Sequence, residues 1–588
     1  GRRCAKTCKP GDRPRTFVMD RRGEAVAGNV RLLIPARSFF SQCTGVRGRL
    51  PEQGVVMQVS VSRTAAAVAT VIAIQAQAET LLPPLVVTAT RFAEADPRVP
   101  ANISVISSEE IATSTSLGLP DLLKSRANID IRPLYGAMGI DAAVDVRGFG
   151  DASGSNVVVL LDGRRLNSID SSSISWSAIP LGNVERIEII RGGGTVLYGD
   201  RATGGVINIV TDKSSVPATS VSATTGSNGY TGIDANSGFS GQDAYLSVSG
   251  HYADTDGWRR NSQANQQSVS GRGGINFGAG RQGFIDYLLY KDSNGLPGYV
   301  TAANYARNPR LSRTPKDTQQ RDGYLVRPGA AWDISKDLRL EAELTADHED
   351  YRGDNVSFGS VFKRHRDTVS FTPRLRWDHG LGNLSSHTVG GIDYYAGDIN
   401  SNSTTYASQY AKQSSAAVYA QNTTNLDDHW SVTAGARSQR MNQKARQDAY
   451  APLFMPAFSG GSVRTRQAYD VGLAFTEGNW RVYGKTGTTF RFANTDELFG
   501  FDPFTGNPVF AGDLKPQHGR VNEIGGTYCG DNLIARGALY RMELRDEIGF
   551  DNVTFANTNF VPTRRSGLES EIEWQLGKAY KLTAAYAY

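Results

Sequence analysis

The sequence predicts a mainly β protein, in which a small N-terminal α+β domain precedes a large transmembrane antiparallel β-barrel. Residues 214–588 alternate apolar and polar side chains with the two-residue period of β-strands. There is no run of about 18 or more apolar residues, which excludes membrane-spanning helices but not membrane-spanning strands. With 588 residues, of which 39% are hydrophobic, the chain is also too apolar for a disordered protein.

Residues 57–78 have the features of a secretory signal peptide. A short basic start at Met57 precedes the apolar stretch Thr64–Ile74, and Ala76-Gln77-Ala78 has the A-x-A form of a cleavage site. A short buried helix would explain the apolar stretch but not its flanks. We therefore expect translation to begin at Met57 and residues 1–56 to be a non-native upstream read-through.

The charge of the chain gives little support to nucleic-acid binding. The formal net charge is +5, but residues 1–56 contribute twelve Lys or Arg against four Asp or Glu. Without residues 1–78 the remaining chain carries a net charge of −4. Three of the four cysteines lie in the same upstream segment, which leaves Cys529 without an internal disulfide partner. We expect an exported envelope protein of a Gram-negative bacterium with no nucleic-acid partner.

Residues 79–90 contain a short strand-forming segment. Pro83 and Pro84 exclude a helix, whereas Leu85–Thr88 favours an extended strand with no hairpin partner beside it. Such a strand could add to the sheet edge of another protein. On these residues alone, the favoured interpretation is that it forms the first strand of the domain that follows.

Residues 91–213 are predicted to form a compact α+β domain. Ser107 and Ser108 with Glu109 and Glu110 favour the start of a short helix. A second helix is predicted over Leu117–Lys124, and strands are predicted over Ile103–Ile106, Val144–Gly148, Asn156–Leu161, Arg186–Ile190 and Gly205–Val210. The Gly-rich stretch that begins at Arg191 lacks the Lys-Ser/Thr pair of a phosphate-binding loop, so it indicates tight turns instead.

Residues 214–588 are predicted to form the barrel. The segments Leu338–Ala346 and Val369–Trp377 alternate apolar residues with charged or polar ones. This pattern suits a barrel with lipid outside and water inside, although a soluble β-sandwich would alternate too. The length and the export signal favour the barrel. The polar stretches Lys291–Gly323 and Asp350–Arg366 are expected to be extracellular loops.

Several motifs resemble those of the TonB-dependent outer-membrane receptor and transporter family, which includes vitamin B12 and ferric-siderophore receptors. Motifs similar to the family's plug domain occur in order at Asp145–Phe149, Leu161–Gly163, Val184–Gly192 and Tyr198–Thr211, and motifs similar to its late barrel strands occur at Leu514–Gln517, Asn522–Gly525 and Ser566–Glu569. Gly193 departs from the family, which usually has proline there. The resemblance implies a 22-stranded barrel plugged by residues 91–213. Because relatives have further strands after the last motif, we expect this chain to be truncated at its C-terminus and its barrel to be unclosed.

The segment before the plug resembles the TonB box of the same family, the strand that binds the partner protein TonB. The residues concerned are Leu85, Val86, Val87, Thr88 and Ala89. The resemblance therefore favours the partner-binding interpretation of residues 79–90. It implies that a ligand bound outside releases this strand to TonB, which the inner-membrane proteins ExbB and ExbD supply with energy.

The resemblance also implies roles for individual residues. In relatives, plug arginines pair with barrel glutamates, and Arg147, Arg191 and Glu523 match such positions, while the other expected glutamate falls near Thr488. The alternative interpretation is that these residues are charges solvated by water in the lumen and do not form pairs between the plug and the barrel. Ligand contacts are expected from the plug-apex loops Leu134–Ile140 and Asn167–Ser177, with the candidate residues Tyr135, Met138 and Trp176.

No catalytic constellation, cofactor motif or metal site is predicted, so an enzyme is not expected. The segment Asp347–Asp350 could bind a divalent cation, but a charged strand end beside a loop is the favoured interpretation. The predicted function is active transport of cobalamin or a ferric siderophore. The outer-membrane lipid is expected to surround the barrel. Cobalamin is slightly favoured because codons for Lys9–Pro14 can resemble the tail of a cobalamin riboswitch. The alternatives are a passive porin and a surface receptor or adhesin without energy coupling.

Overall fold

The computed structural model describes a large part of the chain. The described residues are 17–19, 25–27, 91–92, 99–124, 129–135, 138–171, 173–212, 219–502, 505–554, 556–577 and 580–588. The predicted signal peptide, 57–78, and the predicted TonB box, 85–89, lie outside them. Upstream, strands β1 (Phe17–Met19) and β2 (Ala25–Ala27) pair antiparallel. None of the described helices is long and apolar enough to cross a membrane.

The plug domain contains seven strands and three short helices. They are β3 (Asn102–Ile106), α1 (Ser108–Thr113), α2 (Leu119–Lys124), β4 (Ile129–Tyr135), β5 (Asp141–Val146), β6 (Val157–Leu161), β7 (Arg164–Arg165), β8 (Val184–Arg191), α3 (Thr195–Tyr198) and β9 (Gly205–Thr211), with 3-10 turns at Gly150–Ser155, Trp176–Ala178 and Leu181–Asn183. The Ser107 side chain caps α1 in a capping box with Glu110, as the sequence predicts. β4, β7 and α3 have no counterpart among the predicted elements.

A five-stranded sheet in the order β3-β8-β9-β6-β7 organises the plug. Its central strands β6, β8 and β9 are buried on both faces, which is why they consist of nearly continuous apolar residues. On one face, Ile187 and Ile207 pack with residues of α1 and α2. On the other face, Val158 and Val206 pack with Val389 of the barrel. The sheet therefore contributes directly to the contact between the plug and the barrel wall.

Gly204 is a position where the plug core tolerates no side chain. A Cβ there would lie 2.7 Å from the carbonyl oxygen of Val146 and 3.3 Å from that of Asn156. We expect Gly204→Ala to destabilise the plug by about 1–3 kcal/mol, because two backbone segments would have to move apart. Hydrogen exchange of the β6, β8 and β9 amides in the purified protein measures the effect. Gly154→Ala is the control, since a Cβ at Gly154 meets nothing within 4 Å; equal protection in both variants would contradict the prediction.

The second part of the chain is almost entirely strand. Its strands are β10 (Ser220–Thr225), β11 (Thr231–Ser240), β12 (Ala244–Thr255), β13 (Ala264–Asn276), β14 (Arg281–Gly295), β15 (Thr318–Ser335), β16 (Leu338–Asn355), β17 (Ser360–Phe371), β18 (Arg374–Leu381), β19 (Leu384–Ser403), β20 (Gln409–Asn425), β21 (Trp430–Gln447), β22 (Phe458–Glu477), β23 (Trp480–Arg491), β24 (Phe499–Phe501), β25 (Pro508–Phe510), β26 (Gln517–Cys529), β27 (Leu533–Arg545), β28 (Ile548–Asp551), β29 (Ala556–Asn559), β30 (Thr563–Leu576) and β31 (Tyr580–Ala587). The loops contain the helix α4 (Ala302–Arg307) and 3-10 turns at Val356–Phe358, Ala451–Leu453 and Asp496–Leu498.

Eighteen of these segments form one antiparallel sheet from β10 to β31. β17 and β18 occupy a single position in it, because both pair with β16 and β19 and are separated only at Thr372 and Pro373. β24-β25 and β28-β29 are separate hairpins in the connections. Among the described strands, β10 and β31 are not paired with each other.

The burial pattern of the sheet is the reverse of that in a soluble protein. In β22, Tyr469 and Val471 are 51% and 49% exposed, whereas Asp470 between them is 5% exposed. In β16, Leu344 is 47% exposed while Glu343 is buried. Apolar side chains thus point outward and polar ones point toward the plug, as in a lipid-embedded barrel. The prediction of a membrane barrel with a plug, rather than a soluble sandwich, is confirmed.

The connections at the two ends of the barrel differ in length. One end has short turns such as 336–337 and 478–479, and the other has long connections such as 296–317 and 492–516. Long loops are typical of the extracellular end. The prediction of a loop over Asp350–Arg366 is wrong, because β16 and β17 extend through it as charged strands and leave only the turn 356–359. The loop predicted over Lys291–Gly323 is shorter than expected, since strands cover both of its ends.

Candidate functional site

The plug meets the barrel through a buried cluster of charges around Arg147. Arg147 follows β5 in a turn with φ +68°, and the Asp145 carboxylate holds that turn by accepting the Phe149 N–H at 2.9 Å. The guanidinium donates to Glu523 of β26 at 2.5 Å and to Glu569 of β30 at 2.9 and 3.0 Å. Burial alone would lower the pKa of Arg147, but these carboxylates raise it above its usual value, so the cation is permanent.

Aromatic residues complete the surroundings of Arg147. Its guanidinium lies 4.0 Å from the centre of the Tyr540 ring, and the Tyr483 hydroxyl donates to Glu523 at 2.6 Å. All three charged side chains are buried. The cluster therefore joins the plug to two barrel strands through interactions that water does not screen.

A second plug arginine reaches the same barrel strand. Arg191, at the end of β8, donates to Glu571 at 3.3 Å, and Arg536 of β27 donates to Glu571 at 3.2 Å and to Glu573 at 2.8 Å. Glu569, Glu571 and Glu573 are successive lumen-facing residues of β30. The family resemblance points to Arg147, Arg191 and Glu523 as pairing residues, but not to these three glutamates. The period-two spacing of Glu569, Glu571 and Glu573 was the signal that could have revealed them.

Thr488 does not occupy the place of a second pairing residue. It lies on the face of β23 opposite to the lumen-facing Tyr483 and Thr489. Thr489 instead contacts the hydroxyls of Thr195 and Thr203 of the plug, each at 2.8 Å. The family position near Thr488 thus holds no glutamate that pairs with the plug, and Glu569 and Glu571 on β30 pair with the plug arginines instead.

The start of the described plug is fixed to another part of the barrel wall, at strands β19, β20 and β21. Arg91 donates to both oxygens of the Asp393 carboxylate, at 2.8 and 2.9 Å, and to the Tyr419 hydroxyl at 2.9 Å. Arg437 donates to the same carboxylate at 2.8 Å. Asp393 and Arg437 are 1% and 3% exposed. This buried group anchors the chain two residues after the predicted TonB box.

Two family models match the chain. The model of the TonB-dependent Receptor Plug Domain matches residues 96–206, and the model of the TonB dependent receptor-like β-barrel matches residues 190–588. The protein is a TonB-dependent receptor. Its family consists of transporters and receptors, not enzymes.

Solved structures share this fold at low sequence identity. The ferric citrate transporter FecA in its unliganded form is 17% identical, with a TM-score of 0.70 over 84% of this chain and 78% of that one. The copper transporter OprC is 16% identical, with a TM-score of 0.70 over 83% and 81%. The ferric yersiniabactin uptake receptor FyuA from Yersinia pestis is 16% identical, with a TM-score of 0.68 over 83% and 78%.

In this TonB-dependent receptor, the barrel also holds the plug at the end where the strands are joined by long connections. Arg321 of β15 donates to Asp141 at 2.6 Å, and Arg364 of β17 lies 3.2 Å from Asp170. Burial would raise the pKa of the Asp141 carboxyl, but Arg321 and hydrogen bonds from neighbouring side chains hold it below its usual value. Asp141 and Asp170 are buried, so these ion pairs fix the plug loops to the barrel at that end.

The three predicted ligand contacts of the receptor have different outcomes. The prediction for Trp176 is wrong, because its ring is 3% exposed in the plug core and its indole N–H donates to the Ala142 carbonyl at 2.9 Å. Met138 is half-buried in the apex loop with φ +58°. The side chain of Tyr135 lies outside the described part of the structure. Met138 and Tyr135 stay predictions.

Proposed function

We propose that this receptor imports a ferric siderophore-type chelate across the outer membrane of a Gram-negative bacterium by TonB-dependent active transport. The observation that carries the proposal is the attachment of the plug to the barrel by buried ion pairs, above all those of Arg147 with Glu523 and Glu569. A passive porin has no use for a domain held across its lumen in this way. Ferric chelates are favoured because FecA and FyuA, which share the fold, are named for them.

The proposed partner is TonB, energised by ExbB and ExbD. Leu85–Ala89 would pair with it as an added strand, so the backbone hydrogen bonds of the segment carry the contact. Arg91 lies directly beyond this segment and is held by Asp393. Tension applied to the box would therefore reach the plug first at this ion pair.

The proposed coupling joins an outer site to an inner one. A chelate that contacts the apex near Met138 and the extracellular loops would favour the plug arrangement in which residues 79–90 are available to TonB. This is a coupling free energy between two ligands of one protein, and it is reciprocal. The ion pairs Asp141–Arg321 and Asp170–Arg364 link the apex to the barrel at the outer end.

Asp393→Asn is expected to release the start of the plug. The substitution leaves Arg91 and Arg437 buried without their carboxylate, which typically costs about 3–5 kcal/mol. We expect protease cleavage within residues 79–99 to become at least several-fold faster in outer-membrane vesicles opened to the inner side. Asp378→Asn is the control, because Asp378 pairs with Arg376 at an exposed position. Equal cleavage rates in wild type and Asp393→Asn would contradict the prediction.

Equilibrium binding and uptake by the full-length gene product in outer membranes test the proposed function. A panel of ferric siderophores is titrated, and cyanocobalamin is titrated separately. Saturable submicromolar binding of a ferric chelate, with accumulation that requires TonB, is the expected result. Cyanocobalamin binding would replace the proposed cargo. Uptake without TonB would indicate a porin, and binding without any accumulation would indicate a surface receptor or adhesin.

A further inference from the structure

The outer wall of the barrel carries a group of two histidines and two aspartates on β16 and β17. His348 lies directly opposite Asp367 in the strand register, and Asp350 lies directly opposite His365. On β16 these residues share the face of the exposed Leu344, and on β17 they share the face of the exposed Val369. The group therefore faces away from the lumen and the plug, just beyond the apolar part of the strands.

The four side chains form a closed ring of contacts. His348 Nδ1 lies 2.8 Å from Asp367 Oδ1, and His365 Nε2 lies 3.0 Å from Asp367 Oδ2. The remaining ring nitrogens face Asp350, with His365 Nδ1 at 2.7 Å and His348 Nε2 at 3.5 Å. Asp367 thus faces one nitrogen of each histidine, and Asp350 faces the other nitrogen of each.

We propose that His348, His365 and Asp367 bind one divalent transition-metal ion of the zinc class on the outer wall of the barrel. One ligand atom from each of the three residues lies within 4.8 Å of the others. Two imidazoles and one carboxylate are ligands that suit zinc and its neighbours in the first transition series. Among the described residues, no other group of His, Cys, Asp or Glu meets the same distance limit.

The surrounding charges point to a bound cation independently of these distances. Asp350 lies directly opposite Asp322 of β15, and Asp367 lies directly opposite Asp398 of β19. Like charges in directly opposed positions of a sheet repel one another. Lys291 and Lys412 lie one strand further out on either side, opposite Asp322 and Asp398. Arg352 and Lys363, opposite each other, form the next pair on the same face of β16 and β17. The four aspartates therefore lie between these cations and border the two histidines, where a divalent ion would offset their repulsion.

Asp350 is assigned as the positioning residue of this site. It faces the nitrogens that are not directed at Asp367, and a carboxylate in that place fixes the orientation of metal-bound imidazoles. Tyr324 adds a second restraint, because its ring stacks on His348 with centroids 5.0 Å apart. The ligands are thus held by neighbouring strands rather than by a loop.

Titration of Zn²⁺ into the purified, detergent-solubilised chain against a chromophoric chelator tests the proposal. One equivalent is expected to bind at micromolar or lower free Zn²⁺, and Co²⁺ in its place should give visible absorption bands of imidazole coordination. His365→Ala is expected to weaken binding more than tenfold. His251→Ala is the matched control, because His251 pairs with Asp234 at 2.8 Å but belongs to no group of three possible ligands among the described residues.

A second variant separates ligation from positioning. Asp350→Asn should keep the stoichiometry of one ion and weaken its binding by about 10–100-fold. All these side chains lie on the outer surface of the barrel, and circular dichroism with thermal unfolding checks that the variants are folded. The proposal is overturned if wild type binds no equivalent of Zn²⁺, or if folded His365→Ala binds it as tightly as wild type does.

Discussion

Val87→Pro is expected to abolish energy-dependent uptake while leaving ligand binding unchanged. Residues 85–89 are proposed to add to the sheet of TonB, and such a contact depends on the N–H groups of the added strand. Proline has no N–H, and its ring restricts the backbone of its neighbour as well. Uptake of a labelled ferric chelate by whole cells and its equilibrium binding to outer membranes are the two measurements.

The control for this variant is Val87→Thr, which keeps both the N–H and the β-branched shape. We expect uptake by Val87→Thr to stay close to that of wild type. Loss of binding in Val87→Pro would mean that the substitution disturbs the ligand site instead of the partner contact. Normal uptake by Val87→Pro would remove the assignment of residues 85–89 as the TonB-binding strand.

Arg147→Ala is expected to have the largest effect on the attachment of the plug. It leaves Glu523 and Glu569 buried side by side without the cation that lies between them. Breaking a buried pair in this way typically costs about 3–5 kcal/mol, which we expect to appear as weaker docking of the plug. Faster hydrogen exchange of β5 and the following turn, and greater sensitivity of cells to a large hydrophilic antibiotic, are the measurements.

Arg186→Ala is the matched control for Arg147→Ala. Arg186 is also a plug arginine, but its partners Glu185 and Glu188, each at 2.9 Å, belong to the plug itself. The triple substitution of Arg147 by Met with Glu523 and Glu569 by Gln should recover part of the lost docking, because no uncompensated charge remains. Unchanged exchange and antibiotic sensitivity in Arg147→Ala would show that the pairs do not hold the plug.

The sequence predicts most of the plug and the barrel wall, because these depend on local patterns. The capping box at Ser107 and the apolar runs of β6 and β9 are readable from neighbouring residues. α3 is only one turn long and follows glycines, so no periodicity marks it. β16 and β17 were misassigned near their ends because charged residues on a protruding strand look like a loop.

The contacts of the candidate site were harder to predict because their partners are far apart in the chain. The contact between Arg147 and Glu569 can be predicted only when the register of the whole sheet and the position of the plug in the barrel are known. The burial of Trp176 and the approach of His348 to His365 depend on tertiary packing in the same way. A resemblance to known motifs can identify such a distant partner, as it does for Glu523. It does so only at positions that match a motif residue by residue.

The position of Glu523 and Glu569 along the chain has a consequence for biogenesis. The plug is synthesised early, yet the carboxylates that hold Arg147 belong to β26 and β30, which emerge from the ribosome hundreds of residues later. Contacts of such high sequence separation form slowly, since a long loop must close first. The plug therefore cannot reach its final position until the late strands have joined the sheet. We expect an assembly intermediate, in which the sheet has formed but the plug is still loosely held, to precede the mature receptor.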